Sequence, residues 1–158
     1  MKALVVCPTT LIYNWENEIT KFTPELTYRL HHGEARTRTK EEIMDHEITI
    51  TTYGTLRSDI KLLMSIDFDY VVLDESQAIK NPGSKVTKAA CLLKAKKRLC
   101  MGGTPLQNNT FDIFAQMNFL NPGMLGTMEF FRQNFLYQLI NLASKTERPI
   151  CKNSFHLF

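Results

Sequence analysis

Cysteine is sparse and scattered in this chain of 158 residues: Cys7, Cys91, Cys100 and Cys151 stand far apart, with no Cys-x-x-Cys among them. That spacing gives no support to a zinc site or a thioredoxin-type redox pair. Two bridges can be drawn among four cysteines, but scattered thiols fit an intracellular domain better. A long apolar run is also lacking. None nears the roughly 20 residues that cross a bilayer, so no membrane partner is expected. The opening segment, Met1 to Pro8, is apolar for only a few residues before its proline and reads as a buried strand instead of a secretory leader. Neither sign of charge dominates. A net charge of +3 permits a nucleic-acid partner without establishing one, and 22% charged residues is too ordinary for a disordered or fibrous chain. Repeats and low-complexity linkers are absent. The 44% hydrophobic share suffices for one globular domain with a real core.

What is present alternates between two periods. Leu4-Val5-Val6 is a short β-branched run, followed by Pro8-Thr9-Thr10, where either threonine can cap a helix with Ile12, Trp15, Ile19 and Phe22 on one face. Pro24 stops that helix, Leu26 to His31 reads as a second strand, and a charged, solvent-facing helix is expected between Glu34 and Asp45. Ile48 to Tyr53 is strongly β-prone and leads to a helix from Thr55 with Leu56, Ile60, Leu63 and Met64 aligned. Tyr70 to Leu73 is apolar on both faces, as a central parallel strand requires. Ser84 can cap a helix with Val86, Ala89, Ala90 and Leu93 inward, and Arg98 to Met101 is the last strand. Helices then span Phe111 to Leu120 and about Thr127 to Phe135. This order predicts an α/β fold, a parallel sheet with helices on both faces and right-handed crossovers. Ligands of such sheets sit beyond the carboxyl ends of the strands. The polar loops there are Pro8-Thr9-Thr10, Asp74-Glu75-Ser76-Gln77 and Gly102-Gly103-Thr104-Pro105.

Asp74-Glu75 follows Val71-Val72-Leu73 directly. An apolar strand delivering two adjacent carboxylates to its carboxyl end is the Walker B arrangement. The first helps hold Mg²⁺, usually through water, and the second orients the water that attacks a γ-phosphate. An acidic pair capping the next helix is the plainer alternative. From Lys80 to Arg98 the chain carries Lys80, Lys85, Lys88, Lys94, Lys96, Lys97 and Arg98 with no acidic residue. Such a run suits either a phosphate backbone or a solvated helix face. His31, His32 and His46 lack a cysteine or carboxylate at ligand spacing and read as strand-end histidines, and Trp15 reads as a core anchor of its helix.

The neighbourhood of the acidic pair narrows the choice. Asp74-Glu75-Ser76-Gln77 with Ala78-Ile79-Lys80-Asn81, and then Gly102-Gly103-Thr104-Pro105-Leu106-Gln107-Asn108-Asn109, resemble motifs II and III of the SWI/SNF-type remodelling and repair ATPases, a branch of helicase superfamily two. Cys7-Pro8-Thr9-Thr10-Leu11 with Asn14-Trp15-Glu16-Asn17-Glu18 resembles that family's motif Ia, and Thr51 to Arg57 resembles its next motif. Asn118 to Pro122 and Phe130 to Phe135 are similar to the helical stretch after motif III. The likeness runs from Ala3 to about Phe135 in order and spacing.

The resemblance implies a RecA-like (P-loop NTPase type) lobe with ATP and Mg²⁺ as cofactors and double-stranded DNA as partner. Asp74 would coordinate the nucleotide's Mg²⁺ and Glu75 would activate water. Gln77 would link the nucleotide site to the motif III loop, and Thr104 would relay nucleotide state to the DNA face. Thr9, Thr10 and Thr52 would meet DNA phosphates, joined by Lys80, Asn81 and Lys85. Departures matter too. No Gly-Lys-Thr phosphate loop precedes Ala3, Gly102-Gly103 stands where Thr-Gly is commoner, and nothing of the second RecA-like lobe with its arginine finger is present. The expectation is therefore an incomplete sheet: residues 1–135 as a partial first lobe and residues 136–158 as a divergent or truncated tail. Alone, the chain should be inactive, and its home should be a bacterial cytoplasm or a nucleus. Two alternatives stay open: a non-catalytic remnant that binds nucleic acid or a protein partner, and a piece of a strand-separating helicase. Asn14-Trp15 and Leu106-Gln107-Asn108 favour the remodelling branch over the latter.

Overall fold

The computed structural model describes residues 1–103 and 110–134. Five strands form one sheet: β1 (Ala3–Cys7), β2 (Tyr28–His31), β3 (Ile48–Thr52), β4 (Asp67–Leu73) and β5 (Lys94–Cys100), in the order β2-β3-β1-β4-β5. Every described pairing is parallel. The helices between them are α1 (Ile12–Phe22), α2 (Lys40–Met44), α3 (Tyr53–Ser58), α4 (Ile60–Leu63) and α5 (Lys85–Leu92), and α6 (Thr110–Leu120) follows β5. Short 3₁₀ turns occupy Thr9–Leu11 and Ser76–Ile79. The chain divides into two compact units, Met1–Met124 and Leu125–Phe158. In the second, residues 128–134 are helical and Thr127 starts the turn, its hydroxyl accepting from the Phe130 N–H at 3.1 Å.

The alternation of β1 builds two cores. Leu4 and Val6 join Leu56, Leu63, Phe68, Val71, Leu73, Ile79, Ala90, Leu93 and Phe119 on one side. Ala3, Val5 and Cys7 join Ile12, Ile19, Ile48 and Ile50 on the other. β1 is buried on both faces, which is why it reads as a continuous apolar run; β4 does so only over Tyr70 to Leu73, and β3 buries Thr49, Thr51 and Thr52 beside its isoleucines. Each large apolar side chain so buried contributes about 1.5–3 kcal/mol.

Several elements depart from expectation for identifiable reasons. The first helix takes Leu11 as its cap position and has no side-chain cap, so neither Thr9 nor Thr10 performs the capping expected of them. Phe22, expected inward, is 64% exposed at that helix's last position. The charged helix before β3 shrinks to Lys40–Met44, and its Ile43 is buried in the core. The expected single helix from Thr55 is two, broken at Asp59, and Met64 lies outside the apolar stripe. Thr52 caps the first of these, accepting from the Thr55 N–H at 3.1 Å and donating to the Thr55 hydroxyl at 3.0 Å. Ser84 caps α5 as expected, accepting from the Thr87 N–H at 3.1 Å. The last strand begins at Lys94, four residues earlier than Arg98, because an edge strand tolerates lysines that a central one would not. Cys7, Cys91 and Cys100 are free thiols. No helix among the described residues is long and apolar enough to cross a membrane.

His31 ends β2 fully buried, its Nε2 at 3.0 Å from the Asp59 carboxylate. Arg36 meets the same carboxylate through Nε and Nη2. Burial holds the His31 pKa below its ordinary value, more than nearby Asp59 can offset, and the Arg36 hydrogen bonds hold Asp59 below the usual carboxylate range. Both shifts act in the same direction. The unfolded chain binds a proton at histidine that the fold resists, and the fold loses the Asp59 contacts when that carboxylate is protonated. Stability should therefore fall as pH drops below the ordinary histidine value of 6.5, and again as it drops through the carboxylate range. Urea midpoints measured against pH should show His31→Gln losing the first decline and keeping the second; a wild-type midpoint that is flat across the histidine range would refute the assignment.

Candidate functional site

The site forms where β1 and β4 end side by side. Their register pairs Val6 with Leu73, and the ladder continues one step further as the Asp74 N–H donates to the Val6 carbonyl at 2.8 Å. Asp74 is held from several directions. Tyr53, the first residue of α3, donates its hydroxyl to the Asp74 carbonyl at 2.7 Å. The Trp15 indole N–H donates to Asp74 Oδ2 at 2.9 Å, and the Glu75 N–H donates to Asp74 Oδ1 at 2.9 Å. Burial raises the Tyr53 phenol and pushes the Cys7 thiol up to about 11, with the Asp74 charge adding to both. The phenol and the thiol beside the carboxylate are thus neutral, and among the described residues neither Asp74 nor Glu75 makes an ion pair.

Glu75 sits in the left-handed region, with φ 50° and ψ 53°, the only non-glycine residue among those described to do so. Such a conformation in a non-glycine residue costs on the order of 1–2 kcal/mol and collects at functional sites. The turn it makes brings Gln77 round to donate its amide to the Glu75 carboxylate. The Ser76 N–H donates to the Met101 carbonyl at 2.8 Å, tying this loop to the end of β5. At Gly102 a Cβ would stand 3.0 Å from Gln77 Oε1 and 3.4 Å from the Ser76 nitrogen. The first glycine of Gly102-Gly103 therefore lets the two loops approach closely. A cavity of about 420 Å³ opens beside Asp74, lined by Leu11, Asn14, Trp15, Glu18 and Met101.

Of the residues singled out in the sequence, Asp74, Glu75 and Gln77 come together here. Thr104 lies outside the described residues. Thr9 and Thr10 are exposed in the turn leaving β1, and Lys80 and Lys85 are exposed after motif II and at the start of α5. Thr52 does not offer a free hydroxyl, because it is buried and spent on capping α3. Asn81 turns its Oδ1 inward on its own loop, accepting the Gly83 N–H at 2.9 Å. The basic run divides by element. Lys96 pairs with Asp69 at 2.7 Å, Lys97 lies 5.3 Å from the Tyr70 ring centroid, and Arg98 donates to the carbonyls of Phe119 and Leu93. Those three serve β5 and its neighbours, which leaves Lys80, Lys85, Lys88 and Lys94 exposed and with no side-chain partner among the described residues. Trp15 and Tyr53 were missed as site residues. Helical periodicity shows that Trp15 faces inward, but not that its ring edge reaches a carboxylate 59 residues away.

Known proteins resemble the chain over most of its length. A family model described as the SNF2-related domain matches residues 1–152, which carries the likeness well into residues 136–158. The TATA-binding protein-associated factor mot1 of Schizosaccharomyces pombe is 37% identical over 136 residues, 85% of this chain and 7% of that protein. An uncharacterized ATP-dependent helicase of Mycoplasma pneumoniae is 34% identical over 158 residues, 99% of this chain and 14% of that protein. The SWI2/SNF2 ATPase core of Sulfolobus solfataricus, solved in complex with double-stranded DNA, superposes with a TM-score of 0.79 at 39% identity. That match covers 89% of this chain and 29% of the solved one, so the chain spans a small part of the proteins it resembles.

The strain at Glu75 has a measurable consequence. Glycine adopts its conformation without penalty, so Glu75→Gly should leave the chain as stable as wild type or raise stability by up to about 1 kcal/mol. Thermal unfolding checks this. A loss beyond about 1 kcal/mol would mean that the Glu75 side chain holds the loop together and owes its place to structure.

Proposed function

The chain belongs to the SNF2-related domain family, and from that membership we infer that it supplies the Walker B half of an ATPase site in a double-stranded DNA translocase. The RecA-like parallel sheet is the frame of that site, and the observation that carries the reading is the Asp74-Glu75-Gln77 loop at the end of β4. Its donor set fits Mg²⁺. That ion takes one or two carboxylates and completes its octahedron with water and nucleotide phosphates, and Asp74 offers a half-buried carboxylate with no protein cation against it. When bound with ATP, Mg²⁺ would neutralise charge developing on the transferred phosphoryl group. Asp74 would hold the ion's water shell. Glu75 would orient the attacking water and take its proton, with Gln77 steadying the Glu75 carboxylate and, through its packing on Gly102, linking it to the motif III loop that continues to Thr104.

DNA would be met through its phosphates along the same carboxyl edge. Thr9 and Thr10 at the end of β1, Lys80 after motif II and Lys85 on α5 are the exposed groups suited to it. Thr52 would serve by capping the helix behind them, and Asn81 by shaping its turn. The second RecA-like lobe, with its arginine finger, would be the chief protein partner. The whole machine would act inside the cell, in a nucleus or a bacterial cytoplasm.

In a protein that also carries a phosphate loop and the second lobe, Glu75→Gln should bind ATP normally and hydrolyse it about 10²–10⁴-fold more slowly. Phosphate release at the parental rate would rule Glu75 out as the general base. Neutralising Lys80, Lys85 and Lys88 together should flatten the salt dependence of DNA binding by up to about 0.9 log units per lost phosphate contact. An unchanged slope would assign these lysines to solvent. The 158-residue chain holds no Gly-Lys-Thr loop, so calorimetry with Mg·ATP should give no heat and DNA should not stimulate turnover. Micromolar affinity for Mg·ATP would overturn that expectation.

A further inference from the structure

We propose that Trp15 is a positioning residue for Asp74, its indole N–H setting the orientation of the carboxylate that receives the metal. The proposal rests on the reading of Asp74 as the Mg²⁺-bearing residue. Trp15 lies on α1 between Ile12 and Ile19 in the inward stripe, and its ring packs on the second core cluster. Its polar edge emerges from that packing at 2.9 Å from Asp74 Oδ2. The half-buried ring packs against that cluster and also lines the cavity, and the packing limits the directions in which its N–H can point. Asp74 Oδ1 accepts instead from the Glu75 N–H. Two donors on different oxygens stop the carboxylate from rotating about its last bond. Only one of them comes from outside the Asp74 loop, and that is Trp15. Removing the indole N–H would leave the carboxylate held by its own turn alone. The link also crosses the fold. Leu11, at the end of the Thr9–Leu11 turn, is the cap position of α1, so the exposed segment that leaves β1 is joined through one side chain to the metal ligand at the end of β4.

Trp15 is the single tryptophan of the chain, which makes the contact observable. In a ¹⁵N-labelled 158-residue chain the indole N–H gives one cross-peak. That peak should move in Asp74→Ala, and Mn²⁺ should broaden it in wild type, with Mg²⁺ competing and Asp74→Ala abolishing the effect. Trp15→Phe, checked for fold by circular dichroism and melting, should weaken Mn²⁺ binding about tenfold, read from broadening of the Glu75 backbone N–H, as expected for loss of a group that orients a metal ligand. If Trp15→Phe does not fold, replacing Trp15 by benzothienylalanine deletes the N–H at nearly constant shape and makes the same measurement. An indole peak unmoved in Asp74→Ala would overturn the proposal. Equal Mn²⁺ affinity in a folded chain lacking the N–H would overturn it as well. A peak that moves in Asp74→Ala while wild type ignores Mn²⁺ would locate the failure in the metal reading of Asp74, and the positioning role would fall with it.

Discussion

The parallel pairing of β1 with β4 is the constraint from which the site follows. Both strands are walled in by neighbours, β1 by β3 and β4, and β4 by β1 and β5, so neither can slip in register without turning core side chains to the wrong face. That register carries the ladder to Asp74 N–H and Val6 C=O and then ends it. What the chain does next is dictated by what it must reach. Ser76 bonds to Met101 at the end of β5, and the backbone gets there by passing through a left-handed residue at Glu75. A glutamate in that conformation costs energy that a glycine would not. The fold tolerates the strain because a well-packed sheet on one side and the Ser76 and Ile79 contacts on the other leave the loop no alternative path.

Electrostatics at this edge are one-sided. An indole, a phenol and a thiol, all neutral, lie beside Asp74, and the pKa values of Tyr53 and Cys7 rise in part because that carboxylate is near. Two other carboxylates of the chain do have basic partners. Asp59 has Arg36 and His31 beside it, and Asp69 has Lys96. Asp74 and Glu75 stand side by side with no protein cation against either among the described residues, so a cation from outside can complete the site.

Much of this was legible in the residues alone. The alternation of apolar or β-branched runs with helical periods gives the parallel α/β sheet, because central strands such as β1 and β3 are covered on both faces. Ser84 as a cap and Asp74-Glu75 after an apolar strand are local signals, and local geometry obeyed them. Errors came where a neighbour decided. Thr9 and Thr10 look like caps until the chain makes a 3₁₀ turn first, and Thr52 looks available until its hydroxyl is seen to be spent on Thr55. Lys96, Lys97 and Arg98 look like part of a phosphate-binding run until they are placed on an edge strand with partners of their own.

By itself, the sequence determined the family, the order of elements and the identity of the acidic pair, since each is carried by residue type and spacing along the chain. Tertiary structure decided the rest. That Trp15 should reach Asp74, that Tyr53 should hold its carbonyl, and that Gly102 should be small because Gln77 lies against it are contacts between residues far apart in the chain. No local period encodes them. They exist only once four strands have taken their register and brought their carboxyl ends to one edge.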